Sequence, residues 1–244
     1  MATVDANRVL TWLHISDLHF EPTMVFDRSS VLEALCKLVE QYRGEGRFVP
    51  DLVFVTGDIA NRGADEEYKR AAVFFDALLG KLGLGRERLF VVPGNHDVDR
   101  TQGRFLKRSL KDEEESDDFF GSAKAALHLE KLRAFREWHQ SYFSSSPVHD
   151  PFSLSAAPTT LDVRGMRVSV LPINTATFAL DDSDHNKLWV GRSWLNGAVA
   201  RLDAEADLRV ALMHHPLDWL HDQERGQIKS ELADHVDVVL RGHL

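Results

Sequence analysis

Polar side chains that could bind metal ions recur along this sequence where short apolar runs end. Five separate runs end this way, with Asp, Asn or His within a few residues of the last apolar position. In chain order these residues are Asp17, His19, Asp58, Asn95, His96, Asp97, His214, His215 and His243. Carboxylate oxygen combined with imidazole nitrogen is a ligand set that suits divalent Mn, Fe or Zn. The spacing therefore predicts a metal site assembled from distant parts of the chain.

The number of candidate ligands favours two divalent ions over one. Two cations about 3.5–4 Å apart can hold a phosphoryl group between them and generate hydroxide from water at neutral pH. The single cysteine, Cys36, excludes a structural zinc site built from thiolates. Three glycines beside the candidate ligands, Gly57, Gly94 and Gly242, fit sharp turns that let the ligands approach closely.

The apolar runs have the length and composition of buried strands, and amphipathic stretches alternate with them. The predicted strands are Val9 to Ser16, Leu52 to Thr56, Leu89 to Pro93, Val168 to Asn174, Leu208 to His214 and Val236 to Arg241. The predicted helices are Ser29 to Arg43, Asp65 to Leu82, Leu127 to Phe143 and Ser193 to Leu202. This alternation predicts an α/β fold with helices outside a largely parallel sheet. Ligands bind at the carboxyl edge of such sheets, where the polar residues fall.

Length and composition limit the class of protein. The 244 residues are 43% hydrophobic and carry a net charge of -9, which excludes a disordered chain and argues against a surface that coats nucleic acid. No apolar run approaches the ~20 residues of a membrane span. The N-terminus lacks a secretory signal, so we expect a cytoplasmic protein. We expect a single domain over 1–244 with a surface insertion at 100–150, whose charged part, Arg100 to Asp118, is either a solvated segment or a lid.

The combined motifs closely resemble the calcineurin-like metallophosphoesterase superfamily, and the resemblance extends from Leu10 to Leu244. It implies an α/β fold that is a four-layer α/β/β/α sandwich, here C-terminally truncated, with a dinuclear metal site at one edge. The implied ligands are Asp17 and His19 for the first metal, Asp58 as the bridging carboxylate, and Asn95, His214 and His243 for the second metal. His215 is the alternative to His214, because the two are adjacent.

The resemblance also implies roles in catalysis for two neighbouring residues. His96 matches a histidine that does not bind metal but lies near the leaving group, where it stabilises the transition state or protonates the leaving oxygen. Asp97 is expected to hold His96 in one orientation. Asn61 stands where the family pattern Gly-Asp-x-x-Asp has its last acid. We expect Asn61, Arg62, Arg100 and His215 to contact substrate.

The chain departs from the family pattern at its end. The family motif Gly-His-x-His closes with a histidine for the first metal, whereas this chain reads Gly242-His243-Leu244. We therefore expect a longer natural protein with further C-terminal domains, or a homo-oligomer that pairs through an open sheet edge.

Three functions follow from the resemblance and the charge pattern. The first is a phosphodiesterase for a small or cyclic nucleotide-type phosphodiester. The second is a nuclease for DNA or RNA, in which basic residues near the site motifs contact the phosphate backbone. Those residues are Arg62, Arg100, Arg104, Lys107 and Arg108. The third, of another class, is a metal-binding regulatory or sensor module of a larger multidomain protein.

Overall fold

Two β-sheets form the centre of the protein in a computed structural model that describes residues 9–23, 26–122, 125–144, 158–180 and 183–243. The first sheet is parallel, in the order β1-β2-β3, and its strands are β1 (Trp12–Ile15), β2 (Leu52–Thr56) and β3 (Leu89–Val92). The strands of the second sheet are β4 (Thr159–Val163), β5 (Met166–Pro172), β6 (Leu208–Met213) and β7 (Val238–Arg241). Only β4 runs antiparallel to its neighbour among the strands described.

Helices cover the outer face of each sheet. In chain order they are α1 (Phe26–Gly44), α2 (Asp65–Leu82), α3 (Arg100–Phe105), α4 (Glu113–Phe120), α5 (Ala125–His128), α6 (Arg133–Tyr142), α7 (Arg192–Val199) and α8 (Asp222–His235). The core of the first outer layer joins α1, α2 and α6 to the first sheet. The core of the other outer layer joins α4, α7 and α8 to β5 and β6.

The side chains of strand β2 show how the two sheets and the helices are layered. All five of its residues are buried, as expected for a parallel strand covered on both faces. Leu52 and Phe54 point into the core between the two sheets, whereas Val53 and Val55 point towards the helices. The order of layers is therefore helices, sheet, sheet, helices, and the implied four-layer sandwich is confirmed.

The prediction of one largely parallel sheet is wrong, because the strands divide between two sheets. Apolar runs identify buried strands but carry no signal for which strands pair. The first strand is also shorter than predicted, and β4 was not predicted because only Val163 within it is fully buried.

The helices follow the predicted pattern in part. Helix α2 has the predicted bounds, with three acidic residues in its first turn and Gly83 in the left-handed region after its last turn. The predicted helix over Leu127 to Phe143 is instead divided into part of α5, a 3-10 segment over Leu129–Leu132, and α6. Helix α8 was not predicted, since only three of its residues are buried.

The charged segment after the third strand is not purely solvated. Leu110 and Phe119 are buried in the core of the second outer layer, while Lys111 and Asp112 between them remain exposed. Positions 123–124 and 145–150 of the expected insertion lie outside the described residues. Among the helices described, none is both long enough and apolar enough to cross a bilayer.

Candidate metal centre

The segments that follow β1, β2, β3, β6 and β7 meet at one edge of the sandwich. Ligand atoms of Asp17, Asp58 and His214 lie within 4.8 Å of one another, and so do those of His19, Asp58 and His96. Asp58 belongs to both groups, which places it between two clusters of donors. This is the position that a bridging carboxylate would need.

The donors implied for the second metal are the most closely packed. Asn95 Oδ1 lies 3.0 Å from His214 Nε2 and 3.1 Å from His243 Nδ1, and the two histidine nitrogens are 3.1 Å apart. Asp58 Oδ1 lies 3.4 Å from His214 Nε2. Ligands about 2.0–2.2 Å from a shared ion lie roughly 3 Å or slightly more from one another. The spacing of these four atoms therefore fits one divalent ion.

The tautomer of His214 supports this assignment. His214 Nδ1 lies 2.7 Å from the carbonyl oxygen of Thr56, and a carbonyl only accepts hydrogen bonds, so Nδ1 carries the proton. In the neutral ring, Nε2 then presents a lone pair towards Asn95 Oδ1 and Asp58 Oδ1. Converging lone pairs repel unless a cation lies between them. The buried ring is thus set to bind a metal through Nε2.

The donors implied for the first metal are more widely spaced. His19 Nε2 lies 3.8 Å from Asp58 Oδ2. The buried Oδ2 of Asp17 has no hydrogen-bond partner among the described residues. A buried carboxylate oxygen without a partner is costly, and a bound cation would remove that cost. The residues at this position therefore also fit a divalent ion.

The backbone is strained at four of the candidate ligands. Asp17, His19, Asp58 and His243 have φ angles of 57°, 47°, 52° and 60°, in the left-handed region that favours glycine. Only two other non-glycine residues in the described part of the chain have a positive φ. Such strain costs about 1–3 kcal/mol per residue and clusters at functional sites.

Two glycines make room for the ligands, as predicted. A Cβ atom at Gly94 would lie 2.2 Å from Asp58 Oδ1, and one at Gly57 would lie 2.5 Å from His214 Nδ1. Both contacts are shorter than van der Waals distance, so a side chain at either position would displace a ligand. Gly57 also has a φ of 91°, which other residues adopt with difficulty.

His96 lies beside this cluster with both ring nitrogens engaged. Its Nδ1 donates to the carbonyl oxygen of Asn61 at 2.9 Å, and Nη2 of Arg100 lies 3.4 Å from its Nε2. The His96 backbone N–H donates to Asp58 Oδ1 at 2.8 Å, and the ring packs edge-on against His19 at 4.5 Å between centroids. The imidazole is therefore fixed next to the carboxylate of Asp58.

Comparison with known proteins identifies the family. The chain matches the calcineurin-like phosphoesterase family over residues 10–244. The chain belongs to this family. Across 244 aligned positions it is 27% identical to the metallophosphoesterase-like protein YydB of Bacillus subtilis (strain 168), which covers 96% of this chain and 48% of YydB. The family is metal-dependent, and the described residues hold clusters of candidate metal ligands.

Other similarities are more partial. Over 86 residues the chain is 38% identical to the glycerophosphodiester phosphodiesterase GpdQ of Enterobacter lignolyticus (strain SCF1), covering 34% of this chain and 28% of GpdQ. The chain thus spans about half or less of the length of these curated relatives. Among solved structures, a hypothetical protein from Thermus thermophilus aligns with a TM-score of 0.46 at 18% identity, over 96% of this chain and 68% of the other. The NAD nucleotidase NadN of Haemophilus influenzae aligns with a TM-score of 0.45 at 14% identity, over 96% and 38%.

Contrary to the positioning role predicted for Asp97, its carboxylate makes no hydrogen bond to the His96 ring among the described residues. Its buried carboxylate accepts hydrogen bonds from the backbone N–H groups of Gly94, Ala60 and Ile59 at 2.8, 2.9 and 3.2 Å, and from the Tyr68 hydroxyl at 2.9 Å. Burial, followed by the charge of Asp58, raises the pKa of Asp97 to about 6. Asp97 therefore ties together the loops that carry the ligands, and the Asn61 carbonyl orients His96 instead.

Electrostatic coupling joins the carboxylate of Asp58 to the imidazole of His214. Burial raises the pKa of Asp58, but the hydrogen bonds and charges of His214 and His96 outweigh it, so the net pKa lies below its usual value. Burial lowers the pKa of His214, and Asp58 outweighs this effect, so the net pKa is raised. Without a metal, each residue therefore favours the charged form of the other, and a divalent ion bound here would take the place of the proton on His214 Nε2.

The residues predicted to contact substrate separate into two groups. Asn61 and Arg100 lie beside His96, and the exposed Arg62 follows Asn61. All three are therefore near the edge of the sandwich where the candidate ligands meet, which we call the metal edge. His215 is fully buried and its Nδ1 contacts Thr175 Oγ1 at 2.8 Å, so the prediction that it touches substrate is wrong. Its ligand atom lies within 4.8 Å of those of His214 and His243, and its alternative role as a metal ligand stays a prediction.

Three partners of the site were missed because their residue types carry no signal in the sequence. Thr56 fixes the tautomer of His214, Thr175 contacts His215, and Tyr68 bonds Asp97. Thr56 contributes a backbone carbonyl, which every residue possesses. Only its place as the last residue of β2 could have indicated that role.

Proposed function

We propose that this metallophosphoesterase is a phosphodiesterase that hydrolyses a small phosphodiester with two divalent ions, Mn, Fe or Zn. The observation that carries the proposal is the convergence of donor lone pairs around Asp58, with His96 fixed beside them. The residues that would hold them are Asp17 and His19 for the first ion, Asn95, His214 and His243 for the second, and Asp58 for both. Bound there, two ions supply positive charge for the phosphoryl oxygens and lower the pKa of water to generate a nucleophile.

His96 supplies the proton transfer. The Asn61 carbonyl holds one proton on Nδ1, so Nε2 faces outward towards Arg100, and a second proton carried on Nε2 would be the one given to the leaving oxygen. Arg100 can share its guanidinium with a non-bridging phosphoryl oxygen, since Arg forms strong hydrogen bonds to phosphate. The diester class is supported by these two neighbours of the metal edge and by the partial similarity to a glycerophosphodiester phosphodiesterase.

The test is the substitution His96→Ala, assayed with Mn on bis-p-nitrophenyl phosphate. We expect turnover to fall by roughly 10²–10⁴-fold, as for other lost acid–base groups, while the metal content stays the same. His235→Ala is the matched control, because His235 is an exposed histidine at the end of α8. Unchanged turnover in the His96→Ala protein contradicts the proposed role.

A substrate series tests the diester class separately. We expect the parent protein to hydrolyse the aryl diester faster than p-nitrophenyl phosphate, with cyclic nucleotides as further small diesters. A preference for the monoester contradicts the phosphodiesterase assignment. Faster cleavage of single-stranded DNA than of the small diesters would replace it with a nuclease.

A further inference from the structure

A long groove lies between α1 and α2 on the helical face of the first sheet. Its volume is about 770 Å³, within the range of ~300–1,000 Å³ that is typical of pockets for small molecules. Its apolar surface is formed by Phe20, Leu32, Cys36, Val73, Phe74 and Ala77. Phe20 follows the candidate ligand His19 in the chain, but the groove itself is lined by none of the proposed metal ligands.

The shape of the groove suits an extended chain. Its lining residues on α2 begin at Glu66 and end at Lys81, so they span about 22 Å at ~1.5 Å per residue. The apolar side chains of this stripe, Val73, Phe74 and Ala77, lie in its middle, and charged side chains lie towards its two ends. An unbranched alkyl chain would contact this apolar middle and the apolar residues that α1 contributes, Leu32 and Cys36.

Only some of the charged side chains that line the groove form ion pairs. Lys69 pairs with Glu66 and Lys81 pairs with Glu40, each at 2.5 Å. Three other charged residues of the lining have no ion pair or hydrogen bond among the described residues. These are Lys37 and Glu33 on α1 and Arg70 on α2. The unpaired groups therefore sum to one positive charge, which a single anionic group on a ligand would neutralise.

We propose that this groove binds a single-chain amphiphile with one negative charge, namely a long-chain fatty acid. The alkyl chain lies along the apolar surface formed by Val73, Phe74 and Ala77. The carboxylate is held by Lys37 and Arg70, which approach the groove from opposite helices. Apolar surface with a few placed polar groups is the usual composition of such a pocket.

The sole cysteine of the chain provides a local readout. Cys36 lines the groove, is largely buried and is not in a disulfide. Burial raises the pKa of its thiol, so alkylation by iodoacetamide is best followed at mildly alkaline pH. We expect saturating dodecanoate to slow alkylation at least tenfold, as followed by mass spectrometry. Dodecylamine has the same chain with a positive charge, and butyrate has the same charge with a short chain; neither should protect the thiol at that concentration.

Calorimetric titration with dodecanoate then separates the two parts of the proposal. The double substitution Lys37→Glu with Arg70→Glu should weaken binding at least tenfold, whereas Lys229→Glu on α8 should leave it unchanged. Ala77→Trp should abolish binding by filling the groove. Val31→Trp introduces the same side chain at an exposed position of α1 outside the lining and should not change binding.

Three outcomes would overturn the proposal. Equal protection by dodecylamine would show apolar adsorption without recognition of the anion. Protection that rises with protein concentration and needs no fatty acid would assign the groove to a second copy of the chain. Binding that survives both the charge reversal and Ala77→Trp would place the fatty acid elsewhere. None of these readouts uses phosphoesterase activity, so the proposed function can fail independently.

Discussion

Ionisable side chains are buried both at the metal edge and in the interior behind it, but their partners differ. At the edge, His214 Nε2 faces Asn95 Oδ1 and Asp58 Oδ1, so acceptor atoms are turned towards one another. In the interior, Glu224 accepts hydrogen bonds from the backbone N–H groups of Val190 and Gly191 at 2.6 and 3.1 Å. The protein thus provides donors for the interior carboxylate but leaves the edge atoms to a cation.

This difference in hydrogen-bond partners distinguishes candidate metal ligands from structural residues better than burial or a shifted pKa does. Burial raises the pKa of Glu224 to about 7 and lowers that of Lys131 to about 7, although neither lies among the candidate ligands. Asp97 is the sharpest case, because it is next to His96 in sequence yet its carboxylate is bonded to backbone N–H groups. A shifted pKa is a sign of function only where the protein leaves the group without its own partners.

The largest effect is expected from Asp58→Asn at the metal edge. The amide keeps the shape of the side chain but removes the bridging charge, so we expect both ions to be lost and turnover to fall by at least about a hundredfold. The unfolding free energy of the metal-free protein should change by less than about 1 kcal/mol, because Asn can still accept from the His96 N–H. Metal analysis and urea unfolding measure the two quantities. Full metal occupancy in this variant would contradict the bridging role.

Asp97→Asn should have the opposite profile. Its amide nitrogen would face backbone N–H groups that need an acceptor, so we expect a loss of about 3 kcal/mol in unfolding free energy with metal content retained. Asp234→Asn on the exposed side of α8 is the matched control. If the unfolding free energy of the Asp97 variant matched that of the control, the contrast between edge and interior would fail.

A smaller effect is expected from the pH dependence of stability at Lys131. Its buried Nζ donates to the carbonyl oxygen of Ala179 at 3.0 Å, and burial lowers its pKa from 10.5 to about 7. Between these values the unfolded chain binds more protons than the folded one, so stability rises with pH from about 7 to 10.5. Lys131→Met should reduce that rise by a few kcal/mol, measured by urea unfolding at pH 7 and 9.5.

Lys229→Met, on the exposed face of α8, provides the control for this pH dependence. Its stability should rise with pH as steeply as that of the parent protein. A Lys131→Met protein with the parent's slope would show that the lysine is not titrating in the interior.

The sequence alone predicted much of the fold and nearly all of the candidate ligands. Uninterrupted apolar runs of strand length, such as Leu52 to Thr56, favour buried strands, and the polar residues that end such strands lie at the sheet edge. Helix α2 was predicted with its bounds because acidic residues begin it and a glycine follows it. Segments with weak patterns, such as α8 and β4, were missed because little of their surface is buried.

The amino-acid types and their places at strand ends therefore determined which groups could bind metal. Only the tertiary structure decided which atoms face one another. The proton on His214 is set by a carbonyl 158 positions away, and His96 is oriented by the carbonyl of Asn61 instead of by its neighbour Asp97. The local sequence pattern indicates which side chains are buried. Contacts between distant segments depend on how the two sheets pack, and residues throughout the chain decide that packing.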